Sequence, residues 1–451
     1  MLVKFTAANF LSFNNEPQTF SLESGKVRTK KDHLIVCENG VSLLKFAAIF
    51  GANGSGKSNF IRAIDFLRRL VLLGTASKSA ENYQCKINEE NKDKPTFFEI
   101  EMLIENNIFT YGIKILLSSS KIESEYLYCK VANKKKYLFN KASEKEEYEF
   151  SGDLKGIGAL KILAETWKES EKPFLYNINH DTQAFFNQNQ KARILKTVFD
   201  WFAKNLSVTF PEMPIKETSL ITSKTTLSDF ETLLKFFDTG ISSITAESVP
   251  LDKAFESLSP RDKTSIVFQM DLAYRLFLRQ KPKGIPTNFG ALIKNRRNIF
   301  RIRLDEKTGD FRTEELKFVH QYENNSASFE RKWESDGTAR LFDLLEILVS
   351  GEGKVFIIDE INRCLHPALT VAFVKKFFES AQKKKVQLAV TTHEVRLMTQ
   401  ELLRRDEIWF AEKGEDKSTK MKCMDSENVR IDKKIDDAYM SGEYGSVPTF
   451  G

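Results

Sequence analysis

The fold of this 451-residue chain is decided by the stretch GANGSGKS, which runs from Gly51 to Ser58. It satisfies the pattern GxxxxGK[ST], in which glycines let the backbone curl so that successive N–H groups point at phosphate oxygens. In this pattern Lys57 reaches the terminal phosphates of a nucleotide, and the Ser58 hydroxyl is a ligand of Mg²⁺. The preceding LLKFAAIF predicts a buried strand, and the following FIRAIDFLRRLVLL predicts an amphipathic helix. Because these are the neighbours that a phosphate-binding loop needs, we predict a nucleotide site here.

A second candidate site is the end of VFIIDE, an apolar strand that finishes in two carboxylates. Asp359 is predicted to hold Mg²⁺, directly or through water, and Glu360 to polarise an attacking water as a general base. A strand that ends in two acids is common and usually marks solvent exposure only. Its pairing with the phosphate loop favours the catalytic interpretation.

Two further positions are candidates for contact with the γ-phosphate. His393 follows the next predicted strand, LAVTT, and is interpreted as a sensor of the γ-phosphate or of the attacking water, with a structural histidine as the alternative. Ser335 and Gly337 open a predicted helix, whose free N–H groups favour anions, although Ser335 could equally be an N-cap without a ligand. The predicted catalytic residues are Lys57, Glu360 and His393, and the predicted Mg²⁺ ligands are Ser58 and Asp359. The predicted nucleotide contacts are Gly51, Asn53, Gly54, Ser55, Gly56, Lys57, Ser58, Asn59, Ser335 and Gly337.

The order of predicted elements indicates three regions. Residues 1–142 contain the phosphate loop and a series of short strands that reads as an antiparallel meander. Residues 143–283 change to helical periodicity and are predicted to be a helical insertion. Residues 284–451 alternate buried strands with amphipathic helices, which is typical of a mostly parallel α/β sheet.

Composition and charge limit the location and the partners. The chain lacks the continuous apolar run of a secretory signal and any apolar stretch of membrane-spanning length, and its five cysteines form no close pairs, so a reducing cytoplasm fits best. The net charge of +6 permits nucleic-acid binding without requiring it. The basic stretch from Lys281 to Arg303, with Phe289 and Phe300 interleaved, could contact nucleic acid without sequence preference. The alternative is a solvated strand edge that is kept positive.

The order of motifs resembles that of the ABC/SMC-head ATPases: phosphate loop, long insertion, serine-glycine helix start, DE strand and strand-histidine. In that superfamily the serine-glycine element completes the nucleotide site of a second subunit, so ATP joins two heads. Ser335 and Gly337 match this signature, while Asp336 stands where transporters usually have another glycine, which argues against the transporter class. The resemblance implies an α/β fold of the P-loop NTPase type, with ATP and Mg²⁺ bound and two or more subunits.

A closer resemblance covers nearly the whole chain, through NFLSF, GANGSGKSN, FFDTGI, ESDGTARLFDLL, INRCLHP, TTHE, LRRDEIWF and YMSGEYGSVP. These segments look like the AAA/ABC-type ATPases of bacterial abortive-infection systems, a group that includes OLD-like and RloA-type proteins and the ATPase of the PARIS anti-phage system. It implies an intracellular immune ATPase that controls an effector. OLD proteins carry a TOPRIM nuclease domain after the head, and too little sequence follows His393 here for one, so a nuclease or toxin is expected as a separate polypeptide. The alternative function is an SMC-like DNA-maintenance ATPase that clamps DNA, but no sustained heptads predict its long coiled-coil arms.

Overall fold

The computed structural model describes all residues except 76–79, 132–133, 143–146, 169, 181–184, 214–223, 257, 281–289, 296, 306 and 427–451. The chain divides into two compact units. The first comprises Met1–Pro211, Gly351–Ile361 and Ala381–Gly451, and the second comprises Glu212–Ser350 and Asn362–Ser380.

Strands and helices are numbered in chain order. The strands are β1 (Leu2–Ala8), β2 (Gln18–Ser21), β3 (Leu34–Val36), β4 (Ser42–Leu44), β5 (Phe46–Phe50), β6 (Thr96–Ile104), β7 (Asn107–Leu116), β8 (Lys121–Val131), β9 (Lys134–Lys141), β10 (Glu149–Phe150), β11 (Leu206–Thr209), β12 (Ile241–Ser248), β13 (Gly290–Lys294), β14 (Ile299–Leu304), β15 (Phe311–Gln321), β16 (Ser326–Phe329), β17 (Val355–Ile358), β18 (Gln387–Thr391), β19 (Ile408–Lys413) and β20 (Thr419–Cys423). The α-helices are α1 (Lys57–Leu73), α2 (Gly158–Thr166), α3 (Phe174–His180), α4 (Phe185–Gln188), α5 (Arg193–Asp200), α6 (Lys224–Phe236), α7 (Leu251–Phe255), α8 (Pro260–Gln280), α9 (Asp336–Val349) and α10 (Pro367–Ala381).

A mostly parallel sheet organises the first unit. Its order is β11-β17-β18-β5-β19-β20, with parallel pairing from β11 to β19 and an antiparallel β20 at the edge. Strands β5, β17 and β18 are buried along their whole length, as expected for parallel strands covered on both faces. Because neighbouring parallel strands end at the same edge, the segments that follow these three strands meet there. The predicted α/β class and parallel sheet are confirmed.

The second sheet of the first unit is antiparallel, in the order β10-β9-β8-β7-β6-β1-β2. Strands β6 to β9 form the meander that the sequence predicted, and β1 joins it through β6. The core between this sheet and α1 is aromatic: the ring of Phe60 lies 5.7 Å from that of Phe5 and 5.2 Å from that of Phe20. The abundant phenylalanines therefore serve core packing here, as expected from their apolar neighbours.

The second unit contains an antiparallel sheet of order β12-β15-β14-β13, with β16 paired to β15. Helices α6 and α9 pack together, and the rings of Phe230 and Phe342 lie 5.1 Å apart. The stretch 143–283, which was predicted to be a helical insertion, contains helices α2 to α8 but also the strands β10, β11 and β12. Strands β10 and β11 are short, and β11 is held by β17, about 150 residues later in the chain, so local periodicity does not reveal it. Residues 143 and 283, where the predicted insertion begins and ends, lie outside the described residues.

None of the described helices combines the length and the apolar character that crossing a bilayer requires.

Candidate nucleotide-binding site

The loop between β5 and α1 has a backbone that requires its glycines. Gly54 and Gly56 have φ angles of +73° and +104°, in the left-handed region that favours glycine. A Cβ atom on Gly56 would lie 1.9 Å from the Thr419 hydroxyl oxygen, so there is also no space for a side chain. The loop thus has backbone conformations that glycine allows, which a phosphate-binding loop requires, and its contacts with phosphate stay a prediction.

Lys57 is the first residue of α1 and is only 6% exposed. Its Nζ atom donates to the carbonyl oxygens of Gly51 at 2.7 Å and Ala52 at 3.0 Å, so the side chain folds back over the loop. Burial lowers the pKa of Lys57 to about 8, and the nearby carboxylates of Asp359 and Glu360 oppose this shift only in part. The Lys57 ammonium therefore loses its proton more readily than an exposed lysine, and a bound phosphate group would favour the protonated form.

Three hydroxyl and carboxyl groups are linked where β17 and β18 end. Ser58 Oγ donates to Asp359 Oδ1 at 3.1 Å, and Thr391 Oγ1 donates to the same oxygen at 2.6 Å. The Thr391 hydroxyl also accepts from the backbone N–H of Glu360 at 2.7 Å. Glu360 itself is in the left-handed region, with φ of +50°, which is uncommon for a residue other than glycine. Thr391 therefore contacts the Asp359 carboxylate and the Glu360 backbone, while Ser58 joins Asp359 to the start of α1.

The side chains around the loop fit a nucleotide phosphate and a magnesium ion. The Ser55 residue is 3% exposed, and its hydroxyl has no hydrogen-bond partner among the described residues, as expected of a group that waits for a ligand. Ser58 and Asp359 offer hard oxygen donors, which Mg²⁺ prefers. Among the described residues there is no group of three or more His, Cys, Asp or Glu side chains that could hold a metal. Mg²⁺ takes one or two protein oxygens and fills its remaining positions with phosphates and water, so Ser58 and Asp359 would suffice to hold it.

His393 lies in the same electrostatic environment, two residues after β18. Its pKa is lowered because partial burial and the positive charge of Lys57 disfavour the protonated ring, while Glu360 and Asp359 act in the opposite direction. The neutral imidazole that results can donate one hydrogen bond and accept another. The structure thus brings Lys57, Ser58, Asp359, Glu360 and His393 to one edge of the parallel sheet.

The sequence reading did not assign a role to Ser12 or Thr419, which hold the loop from outside. The two hydroxyl oxygens lie 2.7 Å apart, Asn59 Nδ2 donates to Ser12 Oγ at 2.8 Å, and Thr419 Oγ1 donates to the Ser55 carbonyl at 2.8 Å. Thr419 begins β20, and its backbone N–H donates to the Ser12 carbonyl at 2.7 Å. Ser12 belongs to the NFLSF segment, which contributed to the family resemblance. Nothing in that segment indicated that the Ser12 hydroxyl would contact the phosphate loop.

Ser335 and Gly337 belong to the second unit, whereas the other predicted site residues belong to the first. Ser335 is the N-cap of α9, and its Oγ accepts from the Thr338 N–H at 3.1 Å. A Cβ atom on Gly337 would lie 2.7 Å from the Cys364 carbonyl oxygen, so packing within this unit already requires a glycine. Ser335 therefore serves as the N-cap that the sequence analysis gave as the alternative interpretation. Contact of Ser335 and Gly337 with a nucleotide stays a prediction.

Several members of the predicted basic stretch are paired inside the second unit. Lys294 forms ion pairs with Asp343 at 3.3 Å and with Glu346. Arg301 and Arg303 both pair with Glu314, at 2.8 Å and 3.0 Å. Lys281, Lys283, Phe289 and Arg296 lie outside the described residues. These ion pairs make Lys294, Arg301 and Arg303 poor candidates for an open phosphate-binding groove, because their charge is already compensated.

The glycine-rich loop, the buried lysine and the serine–aspartate contact on a parallel sheet define a P-loop NTPase with an α/β fold. The family model described as "AAA domain, putative AbiEii toxin, Type IV TA system" matches residues 46–399, and the chain belongs to this family. A comparison with curated proteins gives no significant match.

Among solved structures, the chain is similar to three SMC head domains. One is an Smc head bound to the C-winged helix domain of ScpA, at 14% identity over 97% of this chain and 99% of that chain, with a TM-score of 0.38. The second is an SMC head domain from Thermotoga maritima, at 12% identity over 95% and 99% of the two chains, with a TM-score of 0.34. The third is an Smc head with an extended coiled coil bound to the C-terminal domain of ScpA, derived from Pyrococcus furiosus, at 14% identity over 98% of both chains, with a TM-score of 0.32.

Proposed function

We propose that this protein binds and hydrolyses ATP at the loop from Gly51 to Ser58. The observation that carries the proposal is that Ser58 and Thr391 both donate to Asp359 Oδ1, while the charges of Asp359 and Glu360 act on the buried Lys57. Separate structural roles would not require Ser58 and Thr391 to share one carboxylate oxygen. Phosphoryl transfer needs such an arrangement, since its catalysis is mainly positioning and charge stabilisation.

The residues have distinct roles in this proposal. Lys57 exchanges the carbonyls of Gly51 and Ala52 for the terminal phosphates, and the backbone N–H groups of the loop bind phosphate oxygens. Ser58 and Asp359 hold Mg²⁺, which neutralises charge that develops on the transferred phosphoryl group. Glu360 accepts a proton from the attacking water, and neutral His393 orients that water or the γ-phosphate.

We further propose that ATP joins two or more copies of the chain. Ser335 and Gly337 begin α9, a 14-residue helix whose first N–H groups can accept an anion. In the proposed assembly this helix of one copy contacts the γ-phosphate bound to the loop of another copy. Hydrolysis then removes the ligand that both copies share, and the assembly opens.

The biological role that we propose is that of a sensor or scaffold subunit in a bacterial anti-phage, abortive-infection system, with a separate nuclease or toxin as effector. Support comes from the family description, which names a putative AbiEii toxin and a type IV toxin–antitoxin system. An SMC-like ATPase that clamps DNA in repair or maintenance is the alternative. The two functions differ in what the ATP-bound assembly carries, namely an effector protein or DNA.

The test uses Glu360→Gln, with Glu352→Gln as a matched control on an exposed glutamate near the start of β17. Glu360→Gln should lower ATP turnover at least 100-fold while ATP binding persists, because the general base is lost and the phosphate contacts remain. Glu352→Gln should match the wild type. Equal turnover for Glu360→Gln and the wild type would refute the assigned base.

The same variant tests assembly and role. With ATP, Glu360→Gln should have a larger native mass than Lys57→Ala, since one variant retains bound ATP and the other cannot bind it. Mass spectrometry of the complex isolated from its host then identifies what accompanies it. A separate nuclease or toxin supports the defence function, whereas DNA without an effector supports the maintenance function.

A further inference from the structure

Helix α8 of the second unit presents apolar side chains to solvent along one face. Val267, Phe268, Tyr274 and Leu278 are between 42% and 66% exposed. Single exposed apolar residues are common on soluble proteins, but a group of them within about three turns of one helix indicates an interaction surface. We propose that this face binds α8 of a second copy of the chain in antiparallel orientation. The proposal does not depend on ATP binding or hydrolysis.

A neighbouring side of α8 is packed against its own unit, which fixes the direction of the exposed face. Met270, Ala273 and Phe277 are buried, and Met270 belongs to a core cluster with Ile302 of β14. A Cβ atom on Gly309 would lie 2.5 Å from the ring of Phe277, so the helix lies close to the turn between β14 and β15. Because the packed side holds the helix, little ordering is needed when the exposed face binds a partner.

The exposed face contains a stripe of four residues, Val267, Asp271, Tyr274 and Leu278, with the spacing of a coiled-coil seam. Successive members lie four, three and four residues apart, as at positions a and d of a heptad, so they share one side of the helix. This spacing is the same when it is read from either end. A second α8 laid antiparallel therefore brings Val267 opposite Leu278 and Asp271 opposite Tyr274, and twofold symmetry repeats both contacts.

The polar side chains of this face also match on reversal. Arg275 Nε lies 2.9 Å from Asp271 Oδ2 on the same helix, and both side chains are at least half exposed. A carboxylate accepts several hydrogen bonds, so Asp271 can also accept from the Tyr274 hydroxyl of the second copy. Phe268 lies seven residues before Arg275 and hence on the same side of the helix. In the antiparallel pair each Phe268 ring lies beside the guanidinium of the other copy, which favours the contact.

This arrangement favours a second copy over other occupants of the face. A partner of unrelated sequence would not require the spacing to be the same on reversal or a hydroxyl donor to fall opposite a carboxylate. A lipid surface calls for a continuous apolar face, whereas the ion pair of Asp271 and Arg275 lies within this one. The stripe is about 16 Å long. Because so short a contact buries little surface, we expect a dissociation constant on the order of 10 µM.

The test measures the native mass of the full chain without nucleotide, by analytical ultracentrifugation at concentrations up to about 100 µM. The Lys57→Ala background excludes any contribution from bound ATP, and we expect a monomer–dimer equilibrium. Val267→Glu should weaken the dimer at least about 100-fold, because a carboxylate would be buried against Leu278 at two symmetric places. Leu278→Lys should also weaken it. The matched control is Ile162→Glu, which places a carboxylate at a similarly exposed apolar residue of α2 and should leave the dimer unchanged.

A mixture of the two weakened variants tests the orientation of the pair. Equal amounts of Val267→Glu and Leu278→Lys chains should form a heterodimer with an affinity within about tenfold of the unmixed background, because the new carboxylate faces the new ammonium at one end and the apolar contact remains at the other. A parallel pair would bring identical positions together and give no recovery. An unchanged thermal unfolding midpoint shows that each variant is folded. The proposal is overturned if the chain is monomeric without nucleotide, if Val267→Glu dimerises as well as Ile162→Glu, or if the mixture stays monomeric.

Discussion

The titration of Lys57 gives a quantitative prediction for ATP binding. In the nucleotide-free protein the pKa of Lys57 is about 8 instead of 10.5, because the ammonium is buried. ATP phosphates beside Nζ favour the charged form, so the pKa rises when ATP binds. Binding therefore takes up a proton whenever Lys57 was neutral before. The affinity should be constant well below pH 8 and should fall above it.

The magnitude follows from the pKa. With a pKa of about 8, the neutral fraction of Lys57 is about one tenth at pH 7, one half at pH 8 and nine tenths at pH 9. The apparent affinity for ATP should thus weaken about tenfold between pH 7 and pH 9. Proton uptake on binding should be about 0.5 per site at pH 8. Without nucleotide, the folded state binds this proton less tightly than the unfolded chain, so the free energy of unfolding should rise between about pH 8 and 10.5.

Isothermal titration calorimetry in buffers of different ionisation enthalpy measures the proton uptake directly. The Glu360→Gln variant prevents turnover during the titration. Lys57→Arg is the matched control, since a guanidinium remains protonated throughout this range and removes the pH dependence if binding is retained. An ATP affinity that is unchanged from pH 7 to pH 9.5, with no proton uptake at pH 8.5, would refute the assignment of Lys57 as a phosphate ligand with a lowered pKa.

Two further predictions concern the loop and the fold. Gly56→Ala should reduce ATP affinity at least 100-fold in calorimetry, because the new Cβ would lie 1.9 Å from the Thr419 hydroxyl and φ at this position is +104°. An affinity equal to that of the wild type would contradict this. Adding Thr419→Ala should restore only part of the affinity, since the backbone strain at residue 56 remains. Glu125→Ala should lower the free energy of unfolding in urea by about 3–5 kcal/mol, since four buried donors, including the hydroxyls of Tyr111 and Tyr148, lose their acceptor. Tyr148→Phe should cost only about 1 kcal/mol, and equal losses for the two variants would show that Glu125 is not the centre of this network.

Local sequence patterns predicted much of the fold because many of its elements have clear periodicity. The buried strand before Gly51, the amphipathic helix after it and the DE strand at Glu360 all lie where the sequence placed them. The meander was recognisable because β6 to β9 are long, alternating and connected by short turns. Each of these signals is contained within a few neighbouring residues.

The contacts that were not predicted depend on residues far apart in the chain. Ser12 and Thr419 are separated by 407 residues, yet their hydroxyls meet at 2.7 Å and support the phosphate loop. Thr391 contacts Asp359 across two adjacent strands. A serine or threonine in a loop has no periodicity that distinguishes such a role from solvent exposure. The short strand β11 was not predicted for the same reason, because its partner strand β17 is distant in the sequence.

The backbone conformation of Glu360 is another feature that depends on a residue distant in the sequence, and it bears on the proposed function. A left-handed conformation at a residue other than glycine costs about 1–3 kcal/mol and persists only where the surroundings impose it. Here Thr391 imposes it, since its hydroxyl accepts from the Glu360 N–H while donating to Asp359. A relaxed turn after β17 would satisfy the backbone equally well but would not hold the carboxyl group of Glu360 in a fixed relation to Asp359 and Ser58. The strain therefore occurs at the residue for which the proposed chemistry demands the most exact placement, and its conformation has no local sign in the sequence because it depends on a threonine one strand away.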